Sequence, residues 1–269
     1  MRIERVTEKR LLHACRKFLS ADPLSNILPL GDLYAPLFDV SEVYAAVENA
    51  RIVGVSIVFH AFSLPTISIG VAHEQVKKAL LEKALGTISR DFVTLISLDE
   101  TSLYRERAKV LLSFTEHQMV LTKPQSLEAS VSPAHKAAKK DLEALNRFYV
   151  EHESEAWNPI QFGVGPYYVV KQGNEIVSAA GIHILTPQIA QLGNVLTDRA
   201  HRRKGYSKAC TTALVREVSS SNRIVSLFVR TDNAPAIRMY EQIGFEKHKI
   251  IEFLFMRKKP KSIMNRSSD

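Results

Sequence analysis

Only two cysteines, Cys15 and Cys210, occur in 269 residues. That is too few for a disulfide framework or a zinc ribbon. Each falls in a helical pattern far from the other, so both are expected as buried, reduced thiols. No apolar run approaches the ~20 residues of a membrane helix. The first residues, Met1 to Arg5, mix charges early and lack the apolar core of a signal peptide. A cytoplasmic location with no membrane partner is therefore expected. Low-complexity segments are absent too. The phosphate-binding patterns G-x-x-x-x-G-K-S/T and G-x-G-x-x-G do not occur, which excludes a Walker loop and a dinucleotide fingerprint. Nor does zinc-finger spacing or an aromatic–basic RNA motif accompany the net charge of +8. Nucleic acid is not the expected partner.

What remains is a composition of 45% apolar and 24% charged residues, ordinary for a soluble globular chain long enough for two domains. The excess positive charge clusters at 199–208 and at 257–261. The second cluster reads as a solvated end. The first lies in a stretch that reads strand, basic turn, helix. Val195, Leu196 and Thr197 are β-formers, residues 198–201 break the run, and Arg202, Arg203, Lys204 and Gly205 stand where a helix begins. From Tyr206 the apolar positions Ala209, Cys210, Ala213, Leu214 and Val218 follow the stripe of a helix buried on one face. A glycine among cations at a helix start suits phosphate. The first N–H groups have no partner within the helix, and the dipole there is positive.

Along the chain, helices are expected at 8–19, 73–89, 102–112, 137–149, 206–218 and 234–243. Strands are expected at 41–47, 51–62, 66–72, 92–98, 118–122, 127–131, 167–171, 176–185, 189–197, 224–230 and 246–256. The sequence Lys123-Pro124-Gln125-Ser126 marks the best boundary, dividing the chain into domains 1–124 and 125–269. Both halves share an order of helix, strand hairpin, strand, helix, strand, helix, strand, which reads as a duplication. In the first half, however, the strand ending at Ala72 runs into His73 and Glu74. With no glycine and a carboxylate where phosphate would lie, that half is not expected to hold a pyrophosphate.

A second motif follows the basic turn across one strand. Asn233 is a good N-cap, Pro235 suits a first turn, Ile237, Tyr240 and Ile243 share a stripe, and Gly244-Phe245 ends the helix. Arg202-x-x-Gly205-x-Ser207 resembles the acyl-CoA pyrophosphate loop of the GNAT acetyltransferase superfamily, usually Q/R-x-x-G-x-G/A. The stretch from Asn233 to Phe245 resembles that superfamily's N-x-x-A-x-x-x-Y-x-x-x-G-F. Ser207 departs from the usual Gly or Ala but is still small. Together the two motifs cover roughly the last half of the chain. The first half is similar to a degenerate copy of the fold, as in tandem-domain members.

The resemblance implies an α/β (α+β) fold of two GNAT-like domains, each a mixed, mostly antiparallel sheet flanked by helices. It implies acetyl-CoA as cofactor and transfer of its acyl group to an amine of a small molecule, peptide or protein. Val195, Leu196 and Thr197 would pair with the pantetheine arm. Arg202, Arg203, Lys204, Gly205, Tyr206, Ser207 and Lys208 would hold the pyrophosphate, and Asn233 would contact the cofactor. Tyr240 would protonate the departing thiolate, and a backbone N–H of Val195 or Leu196 would stabilise the oxyanion. An acid is missing from the strand 189–197, so His183 on the preceding strand is the nearest candidate base, ahead of Glu153 and Glu155, with water relayed from several groups as the alternative. Trp157, Phe162, Tyr167 and Tyr168 are candidates for an acceptor pocket. The alternative is a non-catalytic acyl-CoA-binding or regulatory module on the same fold.

Overall fold

The computed structural model describes residues 1–89, 91–122, 132–219 and 223–259. The first half runs β1 (Arg2–Arg5), α1 (Lys9–Leu19), α2 (Ile27–Gly31), β2 (Ser41–Glu48), β3 (Arg51–Phe59), β4 (Thr66–Val71), α3 (Glu74–Thr87), β5 (Asp91–Ser97), α4 (Thr101–Arg107) and β6 (Ala108–Leu121). The second runs β7 (His135–Lys136), α5 (Leu142–Glu151), β8 (Tyr167–Gln172), β9 (Glu175–Leu185), β10 (Ile189–Thr197), α6 (Tyr206–Ser219), β11 (Ile224–Arg230), α7 (Ala234–Ile243) and β12 (Phe245–Lys258). The expected boundary at 123–126 and strand at 127–131 lie outside the described residues.

The main departure from expectation is at 102–112. The helix stops at Arg107, and Ala108 begins a strand that continues to Leu121. Val110, Leu112 and Phe114 alternate at the strand period. β12 also offers an antiparallel partner along this length, from Ala108 opposite Lys258 to Leu121 opposite Phe245, with register shifts at Lys247/Lys249 and Phe255/Met256. A short amphipathic helix loses to a long ladder that pairs most of the backbone groups it spans.

Among the described residues the strands form one sheet in the order β1-β2-β3-β4-β5-β12-β6-β11-β10-β9-β8-β7. Pairing is antiparallel except between β4 and β5 and between β10 and β11. The last strands of the two halves change places, so that β12 lies between β5 and β6, and β6 between β12 and β11. The cores follow this exchange. Leu254 and Met256 of β12 are buried with Leu81, Ala84 and Tyr104 of the first half, while Met119 of β6 is buried with Leu214, Leu227 and Tyr240 of the second. This crossing brings β6 alongside the fork between β10 and β11.

Candidate active site

β10 and β11 pair in parallel from Ile189–Ile224 to Leu192–Leu227, and no ladder joins them beyond. On its other flank β10 pairs with β9, but the register shifts between Gly193 and Leu196. An extra residue is accommodated there as a bulge. Asn194 adopts φ 53°, a left-handed conformation that asparagine tolerates better than most residues. Three bonds fix it: its Nδ2 donates to Gln161 Oε1 at 2.9 Å and to Tyr167 Oη at 3.0 Å, and its carbonyl accepts from the Tyr149 hydroxyl at 2.5 Å. Its Oδ1 is buried without a partner.

Three of the four aromatic candidates for an acceptor pocket, Trp157, Phe162 and Tyr167, instead pack beside this bulge. Tyr149, Trp157 and Tyr167 are buried in one cluster, with Trp157 stacked on Tyr149 at 4.5 Å and Phe162 packed beside them. Tyr168 donates to Glu217 at 2.8 Å. None of them is among the residues lining the fork.

After β10 the chain makes a 3-10 turn at Arg199–His201, capped by the Asp198 carboxylate accepting from Ala200 N–H at 3.4 Å. His201 Nδ1 lies 2.5 Å and His152 Nε2 3.3 Å from the same carboxylate. Those two bonds, His201 first, pull the Asp198 carboxyl down to about 2. A carboxyl whose folded pKa is depressed stabilises fully above its unfolded value near ~4, and the contribution fades as pH falls toward 2. Asp198→Asn is therefore expected to lower the melting temperature at pH 7, with the deficit closing near pH 2. An equal deficit at both pH values would show that packing, not charge, holds the turn.

Beyond Arg202, Arg203 and Gly205 are left-handed at φ 64° and 78°, with Lys204 between them outside that region. Alternating hand curls successive N–H groups toward one side, a concavity suited to anions. Gly205 is required by this backbone, not by crowding, since a Cβ there would meet nothing within 4 Å. α6 then starts at Tyr206.

The fork and the turn open onto one groove of about 820 Å³. Its lining holds Val195, Leu196, Thr197, Arg202, Arg203, Gly205, Tyr206, Ser207, Lys208, Asn233 and Tyr240. Thus the structure brings together Tyr240 and every residue expected to hold the cofactor except one, while the candidate bases Glu153 and Glu155 lie outside the lining. Lys204 is not in the lining, and neither is His183. The His183 ring lies 6.2 Å from that of Phe62, and burial drives its pKa down to about 4. Asn233 caps α7 by accepting from Ala236 N–H at 3.2 Å, and Gly244 closes that helix at φ 112°. Tyr240 is buried, edge-on to Phe245 at 6.0 Å, and burial lifts its hydroxyl well above the ordinary ~10.

The lining also holds a titratable group that no sequence motif marks. Glu116, on β6, is the only carboxylate among the described lining residues. Burial raises its carboxyl to about 7, against the opposing charge of Arg230. No motif marks it, because its strand comes from the other half of the chain. The equivalent corner of the first half is lined instead by His73, Glu74, Asp99 and Glu100, with Lys77 ion-paired to Glu100. Glu74 and Asp99 there place negative charge beside the Lys77–Glu100 ion pair.

Residues 171–254 match the family model described as FR47-like protein. No curated protein matches the chain by sequence. Among solved structures, a Drosophila protein superposes with a TM-score of 0.72 at 10% identity, covering 97% of this chain and 99% of its own. A GNAT-family protein from Novosphingobium aromaticivorans, described as an acetyltransferase, gives 0.66 at 16% identity over 88% and 99%. A tandem GNAT protein from the clavulanic acid biosynthesis pathway gives 0.65 at 15% identity over 96% and 99%.

Proposed function

We propose that the chain is an N-acetyltransferase of the GNAT superfamily, moving an acetyl group from acetyl-CoA directly to a primary amine of a small molecule or peptide. The observation that carries this reading is the single groove in which a basic anion-binding turn, an unpaired strand edge and a buried tyrosine converge. Three features of the chain suit acetyl-CoA. The left-handed pair at Arg203 and Gly205, flanked by Arg202 and Lys208, suits its pyrophosphate. The edge of β10 at 193–197, freed where the parallel ladder with β11 ends, suits its pantetheine amides. The unpartnered Oδ1 of Asn194 leaves a buried acceptor beside that edge.

Acetyl-CoA, when bound, supplies an activated acyl thioester. The chain supplies the rest. N–H groups of the turn and the Arg202 and Arg203 side chains hold the phosphates. The Val195 or Leu196 N–H donates to the acyl oxygen as negative charge develops there. Tyr240, kept protonated by burial, gives its proton to the departing sulfur, whose conjugate acid is near ~8.5.

Calorimetric titration with acetyl-CoA, followed by thiol release in the presence of primary amines, tests this reading. Micromolar binding and amine-dependent release are expected, with Tyr240→Phe lowering turnover about 10–100-fold while binding stays near wild type. Binding without release across the amines would favour a non-catalytic acyl-CoA module. Failure to bind would end the proposal.

A further inference from the structure

The groove continues into a surface that no described element covers. In a strand, alternate residues share a face, and cross-strand partners share it too. On β6, residues Leu112, Phe114 and Glu116 therefore lie on one face with their β12 partners Phe255, Phe253 and Ile251. Val93 and Leu95 of β5 and Arg230 of β11 join the same face through their own registers. The opposite face is closed, with Ile96, Leu254 and Met256 buried beneath α3 and α4.

This face is open. Phe114 and Phe253 stack on each other at 4.5 Å and 9°, and the Arg230 guanidinium lies 4.8 Å over Phe114. Leu112 is 57% exposed, and Val93, Leu95, Phe253 and Phe255 are each partly exposed. Contiguous apolar surface of this kind marks a binding site more often than chance. Glu116 stands at its inner end, where it also lines the cofactor groove. Two residues of strand span ~7 Å, so Phe114 lies one step, and Leu112 two steps, outward from that carboxylate.

We infer that this face is the acceptor subsite: an amine with an aromatic or alkyl body lies over Phe114 and Phe253, and Glu116 takes the proton from its nitrogen. The inference rests on the acetyl-transfer reading and gives it a substrate class. A second copy of the chain would bury the apolar rungs, but it would bury Glu116 and the groove mouth along with them. An ammonium ion instead complements the one carboxylate in an otherwise basic groove.

The steps balance. Glu116 removes one proton from the ammonium, leaving a lone pair. That pair forms the C–N bond as the C–S bond breaks. Tyr240 protonates the sulfur and regains a proton from the newly acylated nitrogen. Glu116 then releases its proton to water.

The electrostatics suit a base near neutrality. β12 presents the uncharged Ile251 to Glu116, and β11 presents Arg230, which is itself held by Asp232 at 3.1 and 2.7 Å. Across the groove the cations are Arg202, Arg203 and Lys208. Rates should therefore rise with pH through about 7, as the Glu116 carboxyl ionises.

The test uses the full chain with acetyl-CoA and three probes: phenethylamine, hexylamine and ethanolamine. The two apolar amines are expected to exceed ethanolamine in kcat/KM by at least about tenfold, and Phe253→Ala should erase most of that margin through KM. Glu116→Gln should lower kcat about a hundredfold and abolish the acid limb of the pH profile. Equal use of ethanolamine, or a Glu116→Gln variant with the wild-type rate and profile, would overturn the inference. So would a wild-type dimer that Phe253→Ala dissociates in sedimentation. Calorimetry of phenethylamine on the CoA-loaded protein separates the two readings. Binding lost in Phe253→Ala, with no turnover of any amine, would keep the subsite and sink acetyl transfer. Absence of both would sink each.

Discussion

Gly205→Glu is expected to abolish acetyl-CoA binding, weakening it roughly a thousandfold or more, about 4 kcal/mol. Two effects add. At φ 78°, any residue with a Cβ costs about 1–2 kcal/mol relative to glycine. The larger effect is a carboxylate set in the concavity that would receive two phosphates, where it would pair with Arg202 or Arg203 and repel the ligand. Crowding plays no part, because the added Cβ meets nothing within 4 Å. The fold should therefore survive, with circular dichroism unchanged and a melting temperature only a few degrees lower. Gly205→Ala isolates the backbone effect: it should lose comparable stability but less than about tenfold in affinity. Calorimetry on the two variants decides. Equal losses for Ala and Glu would assign the effect to turn geometry. Wild-type affinity in Gly205→Glu would move the phosphate site elsewhere.

The contrast between what was legible and what was not follows the same physics. The strand–turn–helix at 189–219 and the capped helix Ala234–Ile243 are local devices: β-formers, cations at a helix start, an N-cap and a C-terminal glycine. Such signals are carried by neighbours in sequence, so Arg202, Gly205, Asn233 and Tyr240 could be found without coordinates. Glu116 could not. Its place depends on β6 pairing with β11 and β12 across registers such as Glu116–Arg230 and Glu116–Ile251, contacts more than a hundred residues apart. The same long-range ladder overrode the helical pattern at 108–112. His183 stands out in the sequence as a histidine on the strand that precedes β10. The structure gives it a pKa of about 4 and a place beside Phe62, while a carboxylate near 7 faces the groove. The aromatic residues at 157–168 carried an ambiguous signal, since large rings serve pockets and cores alike. Here Trp157, Phe162 and Tyr167 pack beside the Asn194 bulge, which points to a role in shaping β10.

That role gives the second large effect. Gly181 and Tyr167 are register partners on β9 and β8, and a Cβ at Gly181 would overlap the Tyr167 ring. Tyr167 is 1% exposed, so the ring has no solvent to move into. Overpacking at such a site usually costs about 1–3 kcal/mol and sometimes more. Gly181→Ala should sit at the upper end, near 3 kcal/mol, lowering the melting temperature by roughly 6–12 °C. The consequence reaches the groove. The Tyr167 hydroxyl accepts from Asn194 Nδ2, and a displaced ring withdraws one of the three bonds that hold the left-handed residue at the bulge. Acetyl-CoA affinity should fall about tenfold, ~1.4 kcal/mol, although Gly181 is not in the groove lining. Tyr167→Phe is the control: the ring stays, one hydrogen bond is lost, and the stability cost should be only about 1 kcal/mol. If the bulge sets the pantetheine edge, the two variants will lose similar affinity despite very different stabilities. If Gly181→Ala melts with the wild type, the ring has room to move and the bulge is held by Tyr149 and Gln161 alone.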